Sequence, residues 1–401
     1  MIDRPSYLNK IRPFMGKNII KVLVGVRRCG KSTLLSLVRN EIIAHGASES
    51  DVTYLNFESA QTANIRTQEE LLEYMEKRID RSMKHYAFFD EIQQVTGWEK
   101  ALASLMVDYD IDLYVTGSNA HMLSSDLATY ITGRYVQIPV FPFSFTEFFD
   151  AYSSTHPDAN SRIAFERYLI QGGFPFQTEL DFEEAPSLQY LEDVYSTILF
   201  KDLVKRNDIR NAEQLELLVR YALQEIGHPF SAKSIADYLK SERRSVSVDT
   251  IYGYLNAAEK ACLLHRVSRE DAVGKRALKF NEKFYAVDHG LREAIGYNNS
   301  SSIDQVLENI VYIELLRCGY DVRIGKVGDK EIDFIARKRN DTQYFQVCYL
   351  LASEKTIERE FSSLEAVSDN YPKHVLSLDE FPRERNGVKS MNLIDWLLET
   401  K

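Results

Sequence analysis

An α/β fold organised around a parallel sheet is the class this sequence predicts, and three observations predict it. In the first part of the chain, apolar runs of strand length alternate with stretches of helical spacing. The first such run, Ile19 to Val24, leads into Gly25-Val-Arg-Arg-Cys-Gly30-Lys31-Ser32-Thr33, and helical spacing begins at Thr33. A later run, Lys84-His-Tyr-Ala-Phe-Phe, ends in the acid pair Asp90-Glu91.

Each element has a chemical reading. Gly25 to Ser32 satisfies G-x-x-x-x-G-K-[ST], a loop whose glycines let successive backbone N–H groups turn inward around a polyphosphate. The helix after it places the phosphates at a helix N-terminus. Lys31 reaches the β- and γ-phosphates, and the Ser32 hydroxyl ligates Mg²⁺. Gly25, Arg28, Cys29, Gly30, Lys31, Ser32 and Thr33 therefore form the candidate nucleotide-binding set, with ATP and Mg²⁺ as the expected cofactors. In the second element, Asp90 is expected to hold Mg²⁺ through its water shell and Glu91 to polarise the attacking water as general base. An acid pair at this point favours hydrolysis over binding alone.

A third run, Asp112-Leu-Tyr-Val-Thr116-Gly-Ser118-Asn119, is apolar and then ends in small polar residues. Gly133-Arg134-Tyr135 follows and enters another strand-like run. Arg134 is placed to project from a subunit edge as an arginine finger acting in trans; the alternative is a surface ion pair.

The order of these motifs, continued by Phe141-Pro-Phe-Ser-Phe-Thr-Glu-Phe-Phe149, Gln171-Gly-Gly-Phe-Pro175, Leu199-Phe-Lys-Asp-Leu-Val-Lys-Arg206 and Lys330-Glu-Ile-Asp333-Phe, resembles a prokaryotic group of AAA-superfamily ATPases. Their second half is a domain of unknown function related to restriction endonucleases. The resemblance runs through nearly the whole chain. It implies a P-loop NTPase core of AAA type with a helical lid, and a homo-oligomer. It also implies a polar residue at the end of the third strand that orients water near the γ-phosphate. Asn119 is the first choice, Ser118 the second, and a plain polar turn the alternative.

Composition sets limits. The chain has 401 residues, 44% hydrophobic and 27% charged, with a formal net charge of −10. That is an ordinary globular composition, long enough for two or three domains. The N-terminus carries no apolar signal core, and no apolar run approaches a membrane span of ~20 residues. Cys29, Cys262, Cys318 and Cys348 lack metal-ligand or redox spacing. A cytoplasmic protein without a membrane partner is expected. The net charge argues against non-specific nucleic-acid binding by the whole surface. Residues 201–288 differ, with 16 Lys and Arg against 13 Asp and Glu, a mild sign of a polyanion-facing surface.

Within that stretch, three helical patterns at 215–223, 231–240 and 247–260 precede a strand at 263–267 and a turn at 273–275. This is the order of a winged helix-turn-helix. Its third helix, preceded by Arg243 and Arg244 and bearing Thr250 and Tyr254, would face double-stranded DNA; the alternative is protein packing or an extension of the lid. The last third resembles a degraded nuclease of restriction-enzyme type. Glu308 lies on a helical stretch, and Asp333 and Gln346 fall on facing strands of a hairpin. Cys348 stands where such enzymes carry lysine, and a thiol cannot supply the cation. Glu354 and Lys355 lie nearby for a migrated lysine. Three parts are thus expected: residues 1–208, the ATPase with its lid; 209–275, the winged helix; and 276–401, the restriction-endonuclease-like domain, inactive. The function expected is ATP hydrolysis coupled to engaging or remodelling DNA or a protein partner. The alternatives are an ATP-dependent metal nuclease and an ATP-gated binding scaffold.

Overall fold

The apolar run before the phosphate loop forms strand β1 (Ile20–Val24), buried along its whole length. The computed structural model describes residues 2–119, 131, 133–241, 246–272 and 276–400, with residues 276–281 described by backbone alone. Four further strands join β1: β2 (Val52–Asn56), β3 (His85–Asp90), β4 (Ile111–Gly117) and β5 (Tyr135–Pro139). Their order is β2-β3-β4-β1-β5 and every pairing is parallel. A parallel sheet with both faces covered calls for continuous apolar strands, and β1, β3 and β4 meet that demand. The order threads β4 between β1 and β3, so the end of β4 lies between the phosphate loop and the acid pair.

Among the described residues, four α-helices accompany this sheet: α1 (Pro5–Ile11), α2 (Lys31–Ala44), α3 (Gln68–Glu76) and α4 (Trp98–Asp108). A capping box fixes the start of α3, with Thr67 accepting from the Glu70 N–H and the Glu70 carboxylate accepting from the Thr67 N–H. Val22, Val24, Phe89, Leu113 and Val115 from the strands pack with Leu71 and Met75 of α3 and Leu102 and Leu105 of α4. Two charges lie inside this apolar framework. Lys21 on β1 pairs with Asp112 on β4, both fully buried. The Tyr114 hydroxyl and the Gly16 N–H donate to the same carboxylate, each at 2.8 Å. A buried ion pair is tolerated only when its remaining polar atoms are satisfied in this way.

By its internal contacts the chain divides into two units, residues 1–141 with 260–262, and residues 142–259 with 263–401. The second begins with helices Phe145–Thr155, Ser161–Gln171 and Glu184–Thr197, the last running into a π-helix at Ile198–Lys205. The stretch expected to be a lid thus groups with the C-terminal part. Helices Ala212–Gln224, Ala232–Ser241 and Val248–Lys260 form where three were expected, and the Ser231 hydroxyl accepts from the Ser234 N–H at the start of the second. Arg243, Arg244 and the turn at 273–275 lie outside the described residues.

An eight-stranded mixed sheet completes this unit. Its strands are β6 (Leu264–Asp271), β7 (Arg276–Ala286), β8 (Asp321–Val327), β9 (Lys330–Lys338), β10 (Asp341–Val347), β11 (Lys373–Ser377), β12 (Glu384–Arg385) and β13 (Val388–Asn392), in the order β12-β13-β11-β10-β9-β8-β6-β7. The hairpin β6–β7, expected as a wing, is continuous with it. β6 pairs antiparallel with β7 from Leu264–Ala286 onward and parallel with β8 at Arg269–Ile324. The expected boundary at residue 275 therefore falls inside a paired hairpin. Glu308 lies on helix Ile303–Arg317, and Asp333 and Gln346 lie on the antiparallel neighbours β9 and β10.

Candidate functional site

Between β1 and α2 the chain turns through two left-handed residues, Arg28 (φ 69°) and Gly30 (φ 96°). Glycine takes this conformation freely, whereas an arginine there is held against a cost of the order of 1 kcal/mol. Gly25 is required for space: a Cβ on it would lie 2.0 Å from the Val140 carbonyl oxygen. Lys31 opens α2, is 4% exposed, and donates to the carbonyls of Gly25 (2.9 Å) and Val26 (3.0 Å). Ser32 and Thr33 are exposed in the first turn of the same helix, where backbone N–H groups have no intrahelical partner. Cys29 is placed differently from the expected cradle. Its thiol is fully buried beneath the loop and donates to the Val140 carbonyl at 3.3 Å, and burial pushes its pKa up. Only its backbone remains for phosphate contact.

The acids end β3. Asp90 is fully buried and surrounded by donors. Thr116 Oγ1 donates at 2.5 Å, Asn56 Nδ2 at 3.2 Å and the Tyr54 hydroxyl at 3.4 Å, and the Ser32 hydroxyl bonds to it as well. Burial raises the Asp90 carboxyl above its ordinary range, and the Thr116 and Ser32 hydroxyls pull the other way. Glu91 sits in the left-handed region (φ 54°), 7% exposed, with Oε1 3.8 Å from Lys31 Nζ. Its N–H donates to Thr116 Oγ1 at 2.9 Å, and its carboxylate accepts from the Gln93 amide. One hydroxyl therefore holds both acids. Thr116, Asn56 and Gln93 were not singled out by sequence reasoning. The local pattern marks strand ends, but not which strand lies beside which.

These residues fit Mg²⁺ and a nucleotide. The Ser32 hydroxyl and the Asp90 carboxylate are hard oxygen donors brought within hydrogen-bond distance of each other, the donor type Mg²⁺ selects alongside phosphate and water. Ser118 is fully buried just beyond β4, and Asn119 is half-buried next to it. Arg134 is exposed, immediately before β5, which is an edge of the sheet. Its carbonyl accepts from the Ile20 N–H at 2.9 Å.

The four candidate nuclease residues come together only in part. Glu308 accepts from Lys283 Nζ at 2.9 Å and from the Tyr285 hydroxyl. Lys283 is 3% exposed and also reaches Glu331 at 2.7 Å. Asp333 Oδ2 accepts from the Val347 N–H at 2.8 Å, and its own N–H lies 3.4 Å from Gln346 Oε1. Burial, with the neighbouring Glu308 charge, pushes the Asp333 carboxyl well above the ordinary carboxylate range. Cys348 packs in an apolar cluster with Ile332, Leu351 and Phe361, and burial raises its pKa. Lys355 is exposed at the start of helix Glu354–Glu365, so the buried ammonium of this region is Lys283. Among the described residues, no three His, Cys, Asp or Glu side chains are grouped as a metal site. In the expected recognition helix, the Thr250 hydroxyl lies 2.8 Å from that of Ser247, and the Tyr254 hydroxyl donates to Gln214 at 3.5 Å.

Comparison with known proteins places this geometry. Residues 17–149 match the family described as AAA domain, and residues 162–302 match a domain of unknown function, DUF8612. An uncharacterized protein of Haemophilus influenzae is 36% identical over 405 residues, covering 100% of this chain and 99% of its own length. The chain belongs to this family of AAA-domain proteins. An uncharacterized protein of the archaeon Methanocaldococcus jannaschii is 30% identical over 364 residues, covering 88% of this chain and 79% of its own. A solved structure, the Walker-type ATPase of Pyrococcus abyssi, is similar to the AAA-domain protein with TM-score 0.52 and 16% identity, over 74% of this chain and 96% of that one. At that identity the likeness shows the fold, that of the P-loop ATPases. The DUF8612 match crosses residues 208 and 275 without interruption. No helix among the described residues is long and apolar enough to cross a membrane.

Proposed function

We propose that this AAA-domain protein is a cytoplasmic, Mg²⁺-dependent ATPase that works as a homo-oligomer and couples turnover to engaging or remodelling DNA or a protein partner. The observation that carries the reading is the triangle of Lys31, Asp90 and Glu91 around Thr116: Lys31 lies 3.8 Å from Glu91, and one hydroxyl is bonded to both acids.

Each residue then has a role. The α2 N-terminus and the loop N–H groups receive the phosphates. Lys31 exchanges its bonds to the Gly25 and Val26 carbonyls for the β- and γ-phosphate oxygens. Ser32 and Asp90 hold Mg²⁺, which when bound neutralises charge gathering on the phosphate oxygens. Glu91 takes the proton of the attacking water, and the Gln93 amide fixes the carboxylate that does so. Asn119, at the end of the strand between loop and acids, orients that water. Arg134, exposed at the sheet edge, enters the site of a neighbouring copy and stabilises the transferring phosphoryl group.

A nuclease reading is not adopted. Glu308 is taken up by Lys283 and Tyr285, Asp333 accepts from the Val347 N–H, and Cys348 packs in an apolar cluster where such an enzyme needs a cation. The test is ATPase rate against protein concentration, with and without duplex DNA, in the parent and in Lys31→Ala. The expected result is specific activity that rises with concentration, is stimulated by DNA, and is lost in Lys31→Ala. Equal turnover in Lys31→Ala would refute the phosphate-loop assignment. Concentration-independent turnover would refute the oligomer. Absence of DNA binding at low salt would leave a protein as the partner.

A further inference from the structure

The short helix α1 does more than cover the sheet. Pro5 occupies its first turn, where a missing N–H is harmless, and the Arg4 carbonyl accepts from the N–H groups of Tyr7 and Leu8. This fixes the Arg4 backbone, and the side chain turns inward to 2% exposure. A buried guanidinium is expensive unless its donors are met. Arg4 Nη1 donates to the Cys29 carbonyl at 3.1 Å, in the phosphate loop. Arg4 Nη2 donates to the Phe141 carbonyl at 2.9 Å. The Tyr7 ring lies against the guanidinium, 4.3 Å from its centre, and the Tyr7 hydroxyl accepts from the Phe141 N–H at 3.0 Å.

The same short segment touches the loop directly. The Val140 N–H donates to the Val24 carbonyl at 2.7 Å, the Cys29 thiol donates to the Val140 carbonyl, and Gly25 lies so close to that carbonyl that no Cβ would fit. Residues 140 and 141 are where the chain leaves the first unit, which ends at Phe141. The exit segment is therefore hydrogen-bonded to the end of β1 and to Cys29 of the loop and packs closely against Gly25, and Arg4 spans loop and exit segment with the two arms of one planar fork. Lysine, with a single ammonium on a flexible stem, could not reproduce that arrangement.

We infer that Arg4 is a positioning residue for the phosphate loop, and that through its second arm a nucleotide settling in the loop tightens the exit segment Val140–Phe141. Arg4 touches no reacting atom. It acts by fixing the Cys29 carbonyl, and with it the left-handed turn at Arg28 and Gly30 that aims the loop N–H groups. The inference rests on the ATPase reading and adds a mechanical outlet to it.

The experiment measures ATP affinity by calorimetry and amide hydrogen exchange of Val140 and Phe141, with and without Mg-ATP, in the full-length parent, Arg4→Met and Arg4→Lys. In the parent, ATP is expected to slow exchange at these two amides about tenfold, by closing local openings. Arg4→Met should bind ATP at least about tenfold more weakly, and at saturating ATP the slowing should vanish. Arg4→Lys should recover part of the affinity but not the slowing, because one ammonium cannot hold both carbonyls. Parental affinity and parental slowing in a folded Arg4→Met protein would overturn the inference and leave the ATPase reading standing. The parent alone decides the case if the variants do not fold: ATP binding with no change at Val140 and Phe141 overturns it. A parent that binds no ATP overturns both readings.

Discussion

Replacing Thr116 by valine tests whether the two acids are held as one unit. Valine keeps the β-branched shape that suits β4, so the change removes a hydroxyl from a fully buried position with little change of volume. Two bonds go with it. The 2.5 Å bond to Asp90 is charge-assisted, worth about 1.5–3 kcal/mol. The Glu91 N–H, which donated at 2.9 Å, is left buried without that acceptor, a cost of about 1–3 kcal/mol. Stability of the first unit should fall by about 2.5–6 kcal/mol. The effect on turnover should be more specific. Glu91 occupies a left-handed conformation that an ordinary residue leaves when its anchor is removed. A catalytic group displaced by ~1 Å loses about a hundredfold in rate. Thr116→Val should therefore show kcat about a hundredfold lower, with a smaller loss of Mg-ATP affinity, measured by coupled-enzyme assay and calorimetry below the melting temperature. Thr116→Ser restores the hydroxyl and should restore most of kcat. Parental kcat in Thr116→Val, or no recovery in Thr116→Ser, would refute the idea that this hydroxyl sets the geometry of the acids.

Glu91→Gln should bind ATP and hardly hydrolyse it, seen as stoichiometric ATP retained after gel filtration; loss of binding would assign Glu91 to Mg²⁺ or to the fold. Arg134→Ala should bind ATP normally but turn over about 10³-fold more slowly, the lower range for a finger acting in trans. Mixing it with Lys31→Ala should restore activity that neither shows alone, and absence of rescue would return Arg134 to a surface role. Asp333→Asn keeps an oxygen to accept the Val347 N–H and removes a carboxylate that burial disfavours. Because the folded-state pKa is raised, the parent has its full stability below the ordinary carboxylate range and loses some as pH rises through the folded value. The variant loses none by this route, so its melting temperature should exceed the parent's at pH 8, and the gap should close toward pH 4. A gap that widens on acidification would refute the assignment.

The parts of the site that the sequence made legible are those written in adjacent residues. Gly25 to Ser32 and Asp90-Glu91 are local patterns whose chemistry is fixed by spacing, and the alternation of apolar runs and helical stretches announces a parallel sheet. Thr116 was read as part of a strand end but not as the tie between the acids, because that role depends on β4 lying between β1 and β3. Lys21 and Asp112 stand in runs that were read only as apolar, and they are each other's partners across two neighbouring strands. Cys29 was expected in the phosphate cradle; its backbone stands in the loop while its thiol is buried against Val140, a matter of side-chain direction that spacing does not carry. Lys283 escaped notice because no strand was delimited between the turn at 273–275 and the helix of Glu308, although both residues fall in the expected part 276–401. A lysine was sought near Cys348, at Lys355, whereas the lysine paired with Glu308 is Lys283 on β7. Arg4 stands in a segment with no repeating pattern, and its two carbonyl partners are 25 and 137 residues away.

The continuity of the hairpin β6–β7 with the eight-stranded sheet bears on how this protein is made. β6 meets β8 more than 50 residues further along the chain, and β7 closes one edge of the sheet. While the chain emerges during synthesis, the edge of β6 that pairs with β8 must wait for it, its backbone pairing groups exposed in the meantime. Loops of that length close slowly, and an unpaired strand recruits copies of itself. A chain shortened at residue 275 would keep that exposure permanently, so residues 209–275 expressed alone should aggregate rather than fold.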